Sequence, residues 1–415
     1  MDETLSDSAI NHSPPIVVMK FGGTSVATPE GRASIARRVF AAVEAGLAPV
    51  LVVSAMGRTG APYATDTLLS LVDGLPTDAQ ERDWLMATGE IVSAVVCAHE
   101  LRAAGIDARA FTGPEAGIAT DGVAGSSAIT EIHTGPLLAA IADGRVPVVA
   151  GFQGISDAGR LTTLGRGGSD TTACALGVAL SAEAVEIYTD VDGVMSADPR
   201  SCDGTSVLKT IRADELFQMA RSGSRVVHTP AAELALASGL AVRVRNTYSD
   251  HPGTHVADIA GYRPTRVATA VSHTAGVARV RVYLPAPEGT RAHMSAQTRV
   301  YRAMADAGVS LDMFTPVAET LVFSVPEDAL DSACSVLGAL GLTYRVQAGL
   351  SKVTLVGAGM HGVPGVMARM AECLDHAGIT VLQTADSHTT ISVLIPAEET
   401  SGAVQALHEG FNLGD

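Results

Sequence analysis

Three glycine-rich stretches carry charges at spacings suited to phosphate and carboxylate chemistry. The first is Lys20-Phe21-Gly22-Gly23-Thr24-Ser25. Glycines at a strand end let backbone N–H groups approach phosphate oxygens with no Cβ in the way. A lysine there neutralises a phosphate as a point charge. The stretch is not a Walker A sequence, because its lysine precedes the glycines. An ordinary turn with a surface lysine fits the same residues. The second stretch runs from Thr163 to Thr172 and holds Gly165-Arg166-Gly167-Gly168-Ser169-Asp170. It sets a fixed cation, an anion and hydroxyls at the start of a helix, whose N-terminus favours anions. Arg166 can grip a carboxylate bidentately. Helix capping explains Ser169 or Asp170, but not an arginine between glycines. The third, Thr189-Asp190-Val191-Asp192-Gly193-Val194-Met195-Ser196-Ala197-Asp198-Pro199-Arg200, follows an apolar run. Its acids could hold Mg²⁺ through water or line a nucleotide. A plain acidic turn competes, and the spacing does not match an EF-hand loop. Glu90 follows Thr88-Gly89 beside Ile91, Val92, Val95 and Val96. A carboxylate on that face wants a partner such as a substrate ammonium. The bland alternative is a partly exposed helix glutamate.

The elements that must position these residues follow from periodicity. Ile16–Lys20, Pro49–Ser54, Ala108–Thr112, Val146–Gly151, Val185–Tyr188 and Leu240–Arg245 read as short buried strands. Pro29–Ala45, Trp84–Ala104 and Gly168–Leu180 read as helices. Strands alternating with helices predict an α/β domain, a mostly parallel sheet sandwiched by helices. Ligands of such sheets sit at the carboxyl ends of the strands. The turns after Lys20, Ser54, Ala150, Leu164 and Tyr188 would gather there.

The texture changes near residue 264. Ala307-Gly308-Val309 matches Ala377-Gly378-Ile379, and Pro326 matches Pro396, at an offset of 70 residues. Each proline closes an apolar strand, Leu321–Val325 or Ile391–Ile395. Each Ala-Gly ends a helix, Thr298–Ala307 or Gly365–Ala377. The unit reads as a ferredoxin-like α+β module. The second copy lacks a final strand, which Val267–Val271 could supply. The expectation is a disordered extension at 1–15, a catalytic domain at 16–263, and two intertwined modules at 264–415.

Composition narrows the partners. The chain has 415 residues, 47% hydrophobic and 17% charged, so two or three well-packed domains are expected rather than a disordered chain. Lys+Arg total 28 against 44 Asp+Glu, a net charge of −16. That surface repels phosphate backbones, so no nucleic acid partner is expected. The five cysteines are scattered with no C-x-x-C pair, which fits a reducing cytoplasm and argues against a zinc site. No apolar run reaches the ~20 residues of a membrane span, and no signal peptide is legible.

Together these motifs resemble aspartate kinase (aspartokinase), of the amino-acid kinase superfamily. The matching stretches are Lys20–Val26, Val52–Gly57, Gly89-Glu90, Gly151–Gly154, Leu164–Asp170 and Thr189–Arg200. The C-terminal repeat resembles the family's paired ACT modules, which bind amino-acid effectors. Ala55–Thr67 and Gln383–Thr390 resemble the diaminopimelate-sensitive subclass. The resemblance implies the amino-acid kinase fold followed by two ACT modules, and ATP-dependent phosphorylation of the L-aspartate β-carboxylate with Mg²⁺. It implies Lys20 and Asp170 as catalytic. It places Ser54, Thr65, Glu90, Arg166, Gly167 and Ser169 at the substrate. It places Lys20, Gly22, Gly23, Thr24, Ser25, Thr189, Asp190, Met195, Asp198, Arg200 and Arg225 at ATP. Arg225 stands where many members have lysine, and Met195 where many have tyrosine. Ser310, Asp312, His361 and Gly362 are effector candidates, for lysine, threonine or diaminopimelate. A homodimer or larger assembly through the ACT modules is expected. Two other readings remain open: a carboxylate kinase of a specialised pathway, and a non-catalytic amino-acid sensor. Intact Lys20, Glu90, Arg166 and Asp170 weigh against the sensor.

Overall fold

The structure is a computed structural model that describes residues 14–224, 226–256, 266–285, 289–317, 319–360 and 362–414. Apart from Pro14 and Pro15, the expected N-terminal extension lies outside the described residues, as does the expected domain boundary at 263/264. The described chain forms two compact units. One takes the described residues up to Val194, Lys209–Ala213 and 226–256. The other takes Met195–Leu208, the described residues of 214–225, and those from 266 onward.

The first unit is built on an eight-stranded sheet. Its strand order is Thr210–Ile211, Thr254–Val256, Val242–Asn246, Ala184–Thr189, Ile16–Phe21, Ala48–Val53, Val146–Ala150 and Ala108–Phe111. Every neighbouring pair is parallel except Val242–Asn246 with Thr254–Val256. Ala48–Val53 and Val146–Ala150 are buried at every position, as expected of parallel strands covered on both faces. Val17, Met19, Phe21, Leu51 and Val53 pack with Ile35 and Val39 of the helix Pro29–Glu44, and with Ala94, Cys97 and Leu101 of the helix Ala79–Ala103. The latter begins before the expected Trp84. Asp78 caps it by accepting from the Gln80 N–H at 2.8 Å, an N-cap contact that fixes where the first turn starts.

A smaller sheet of four strands, Ile129–Ile132, Ile118–Thr120, Gln153–Ser156 and Leu161–Thr163, was not legible in the sequence. Strands of three or four residues are too short for a period of two to register.

The second unit carries a six-stranded sheet. Its order is Asp312–Val317, Thr320–Pro326, Ala270–Tyr283, Thr343–Val356, Thr390–Pro396 and Gln383–Asp386, antiparallel throughout. Two apolar cores sit on it. Val280, Val282, Leu321 and Phe323 pack with Val300, Met304 and Leu337. Val353, Leu355, Val393 and Ile395 pack with Met370, Leu374 and Leu407. The two modules are intertwined because Ala270–Tyr283 and Thr343–Val356, 14 residues each, run through both. The missing strand of the second copy is Ala270–Ala275, paired with Ser351–Val356. The expected Val267–Val271 is therefore corrected: the strand starts at Ala270 and continues to Tyr283. Register slips between Ala275 and Arg279 mark the passage between modules, the local twist that a bulge provides.

Met195–Leu208 is woven into this unit. Ala197 and Cys202 join its core, and Ser196 Oγ meets His408 Nε2 at 2.8 Å. All five cysteines are free. No described helix is long and apolar enough to cross a membrane.

Candidate active site

Sheet hydrogen bonding continues past several strand ends. The Ser54 N–H donates to Phe21 O at 3.1 Å, Gly151 N–H to Val53 O at 3.0 Å, and Thr247 N–H to Thr189 O at 2.9 Å. The turns after these parallel strands therefore open at one edge, the carboxyl edge where ligands of such sheets bind.

Lys20 lies on the central strand, opposite Val52 and Ile187. Its Nζ sits 2.6 Å from Asp170 Oδ1, with side-chain exposures of 12% and 3%. Asp170 is in the first turn of the helix Gly168–Ala179, and its Oδ2 accepts the His228 N–H at 3.3 Å. Gly167, the residue before that helix, has φ +77°. A Cβ on it would lie 2.3 Å from His228 Cγ, so the imidazole occupies the space a side chain would need. His228 is held below its ordinary pKa by burial first, with the Lys20 and Arg166 charges adding and Asp170 opposing. Arg166 is exposed, while Ser169 is buried.

On the other side of Lys20, the Gly22-Gly23 turn meets the loop after Val53. A Cβ on Gly23 would lie 2.6 Å from Gly57 O and 2.7 Å from Ala55 O, a backbone approach open only to glycine. Thr24 and Ser25 fall in the short helix Gly23–Ala27. Ser25 Oγ bonds Thr247 Oγ1 at 2.6 Å, and Thr24 O accepts the Tyr248 hydroxyl at 3.1 Å.

Glu90 is buried, not partly exposed. Its Oε1 accepts the Ala55 N–H at 3.0 Å. Its Oε2 has no hydrogen-bond partner among the described residues. Burial pushes its pKa up to about 8, against the lowering effect of the Ala55 N–H. Ser54, half-buried, directly precedes Ala55. Thr65 opens the helix Thr65–Ser70, which packs on the helix bearing Glu90. Thr189 Oγ1 donates to Asp190 Oδ1 at 3.2 Å. Arg58 Nη2 reaches Asp190 Oδ2 at 3.0 Å.

Met195, Asp198 and Arg200 belong to the second unit, where Arg200 and Asp198 pair at 2.7 Å. Arg225 and His361 lie outside the described residues. Ser310 and Asp312 line a cavity of about 560 Å³ within the second unit, with Arg221, Ser324, Lys352 and Asp386. Gly362 is exposed and does not line it. Lys352 contacts Asp312 through an ion pair. Burial opposes the charge on Asp312, yet the Lys352 hydrogen bond and charge hold its carboxyl below the usual range.

Two supporting residues escaped the sequence reading. His228 is one. Asp83 is the other, fully buried. It accepts from Gly125 N–H at 2.9 Å, Thr163 N–H at 3.2 Å and Thr163 Oγ1 at 2.7 Å, and so anchors the strand leading into Leu164–Asp170. Its signal was its position on the same helix as Glu90, two turns earlier.

Known proteins agree with this architecture. The amino acid kinase family model matches residues 15–246, and an ACT domain model matches residues 345–409. The chain is 40% identical to aspartokinase 1 of Bacillus subtilis over 405 residues, covering 96% of this chain and 99% of that one. It is 39% identical to an aspartokinase of Mycobacterium tuberculosis strain H37Rv over 419 residues, covering 96% of each. Its fold superposes on E. coli aspartokinase III in complex with aspartate and ADP with a TM-score of 0.82, at 24% identity, covering 96% of this chain and all of that one. The chain therefore belongs to the amino acid kinase family. Within that family its place is among the aspartokinases, enzymes with ACT domains at the C-terminus.

Proposed function

We propose that the chain transfers the terminal phosphoryl group of ATP to the β-carboxylate of L-aspartate, forming 4-phospho-L-aspartate. The observation that carries this reading is the Lys20–Asp170 pair at the carboxyl edge of the sheet, 2.6 Å apart. The acceptor carboxylate has an ordinary pKa of about 3.9 and is ionised at neutral pH, so no strong general base is needed. The obstacle is like charge: a carboxylate must approach a phosphoryl group in line. Catalysis is then positioning plus positive charge. An aspartate oxygen bonds to phosphorus while the bond to the bridging oxygen breaks, its electron pair leaving with ADP. Lys20, held by Asp170, neutralises charge on the transferring group. The Gly22 and Gly23 amides face the phosphates with Thr24, Ser25, Thr189 and Asp190 around the nucleotide. Glu90 takes the aspartate ammonium on its unpartnered Oε2, and Arg166 takes the α-carboxylate. Ser54, Thr65, Gly167 and Ser169 frame the reacting end.

Bound with the nucleotide, Mg²⁺ would supply further neutralisation of phosphate charge, held largely by the phosphates and water. The cavity beside Ser310 and Asp312 is the effector site, for lysine, threonine or diaminopimelate. The protein works in the cytoplasm as a homodimer or larger assembly joined through its ACT modules.

The test is turnover with Mg²⁺, ATP and L-aspartate, trapping the acyl phosphate with hydroxylamine. Aspartyl hydroxamate that depends on aspartate is expected. A folded, ATP-binding protein that yields none would sink the assignment. Adding lysine, threonine and diaminopimelate singly and in pairs identifies the effector.

A further inference from the structure

One exposed ion pair gains meaning from strand order. The strand Ile16–Phe21 lies between Ala184–Thr189 and Ala48–Val53. Arg58 follows the strand on one side, and Asp190 follows the strand on the other, yet the two meet at 3.0 Å. Their bridge therefore crosses the end of the middle strand, above the opening of the Gly22-Gly23 turn.

The backbone carrying Arg58 is held on both sides. Gly57 N–H donates to Gly23 O at 3.0 Å. Thr59 Oγ1 donates to Asp66 Oδ2 at 2.7 Å, and Gly60 N–H to Thr67 Oγ1 at 3.0 Å. The side chain itself lies in solvent. It is 75% exposed, and the Asp190 side chain 45%. A solvated pair of this kind contributes little. A guanidinium grips a phosphoryl group with two parallel N–H···O bonds, which is stronger and geometrically selective. Arg58 meets Asp190 through Nη2 alone, so a phosphoryl group taken by both guanidinium nitrogens competes well for it.

We propose that Arg58 is a phosphate-gripping arm that leaves Asp190 for the terminal phosphoryl group of a nucleoside triphosphate seated on the Gly22-Gly23 turn. The inference rests on the nucleotide reading of this site. It adds a second cation to Lys20, and it gives the site a preference for triphosphate over diphosphate. Arg58 forms no covalent bond and moves no proton. It neutralises the oxygens of the phosphoryl group as that group passes from the bridging oxygen to the acceptor carboxylate.

The test is equilibrium binding of ADP and of a non-hydrolysable ATP analogue, each with Mg²⁺, to the full chain. The parent is compared with Arg58→Ala and Arg58→Lys. Arg58→Ala should lose about tenfold in affinity for the triphosphate analogue while ADP affinity moves less than about twofold. Arg58→Lys should recover part of the loss, and added guanidinium ion should restore part of the turnover of Arg58→Ala. Arg58→Gln, which keeps much of the stem, repeats the comparison should the alanine variant not fold. An unchanged ratio of triphosphate to diphosphate affinity overturns the proposal. A parent chain that binds neither nucleotide overturns the nucleotide reading itself, and this proposal with it.

Discussion

Each unit sets a strand lysine against an aspartate, and the two pairs differ in burial. Lys20 and Asp170 are 12% and 3% exposed, whereas Lys352 and Asp312 are 16% and 55% exposed. Taking both charges out of water costs more than their attraction returns unless further hydrogen bonds assist. Asp170 has such help from the His228 N–H and from the helix N-terminus it occupies. A buried pair with that much support is expensive to break and well suited to hold one charge at a reacting atom. The Lys352–Asp312 pair borders a cavity, and water screens its carboxylate. That pair can be exchanged for a ligand at small cost, as a regulatory site requires.

The comparison is tested most severely at Lys20. Lys20→Met should lower turnover about 10³-fold, the loss expected when charge stabilisation of a transition state is removed. It should also lower stability by about 3 kcal/mol, because Asp170 is left buried without its cation. The double variant Lys20→Met with Asp170→Asn should recover most of that stability and none of the turnover. Hydroxamate assays and denaturant unfolding read the two separately. If the double variant regains activity, the pair is structural rather than catalytic.

Glu90→Gln should raise the aspartate KM about 10- to 100-fold, the worth of a charge-assisted hydrogen bond to the substrate ammonium, and leave the ATP KM in place. The parent's kcat/KM for aspartate should rise with pH toward a plateau above about 8, where Glu90 is ionised in the free protein. Stability has the opposite sign. The folded pKa of about 8 exceeds the ordinary 4.5, so the stability Glu90 contributes is fully present below pH 4.5 and is lost as pH rises through 8. Glu90→Gln should flatten that decline in unfolding free energy.

A smaller effect is expected at Gly167→Ala, whose Cβ collides with His228. It should cost about 1–3 kcal/mol of stability through local strain and lower aspartate kcat/KM severalfold. Adding His228→Ala should return part of it. The smallest effect belongs to the exposed pair. Lys352→Met should change stability by less than about 1 kcal/mol and leave basal turnover intact, while shifting the effector midpoint about tenfold. An unmoved midpoint would mean that Asp312 takes no part in effector binding.

The sequence made visible what is contiguous. Lys20 through Ser25 and Gly165 through Asp170 put glycines, cation and anion side by side, and parallel strands betrayed themselves as unbroken apolar runs. What it hid depends on packing between distant segments. His228 reaches Asp170 across 58 residues, and nothing local announces that contact. Glu90 looked like a half-exposed helix residue until the loop at Ala55 closed over it. Met195–Leu208 follows the nucleotide motif directly in the sequence, and nothing local announces that its Ala197 and Cys202 are buried in the core of the second unit. The long strand Ala270–Tyr283 was read as a short one at Val267–Val271, because its middle, from half-buried His273 and Thr274 to exposed Ala275 and Gly276, interrupts the apolar pattern.

That strand also sets a timetable for synthesis. The strand partner of its first half is Ser351–Val356, which the ribosome makes some 80 residues later. Until then Ala270–Ala275 emerges without its strand partner, held by little more than the Val271 N–H bond to Ser196 O, and such an edge recruits other chains. The second module cannot close before the chain is nearly complete. A truncated product, or the C-terminal module expressed alone, would lack the strand that seals its sheet. Yield from such fragments should therefore depend on supplying Ala270–Ala275 in trans or in a permuted chain.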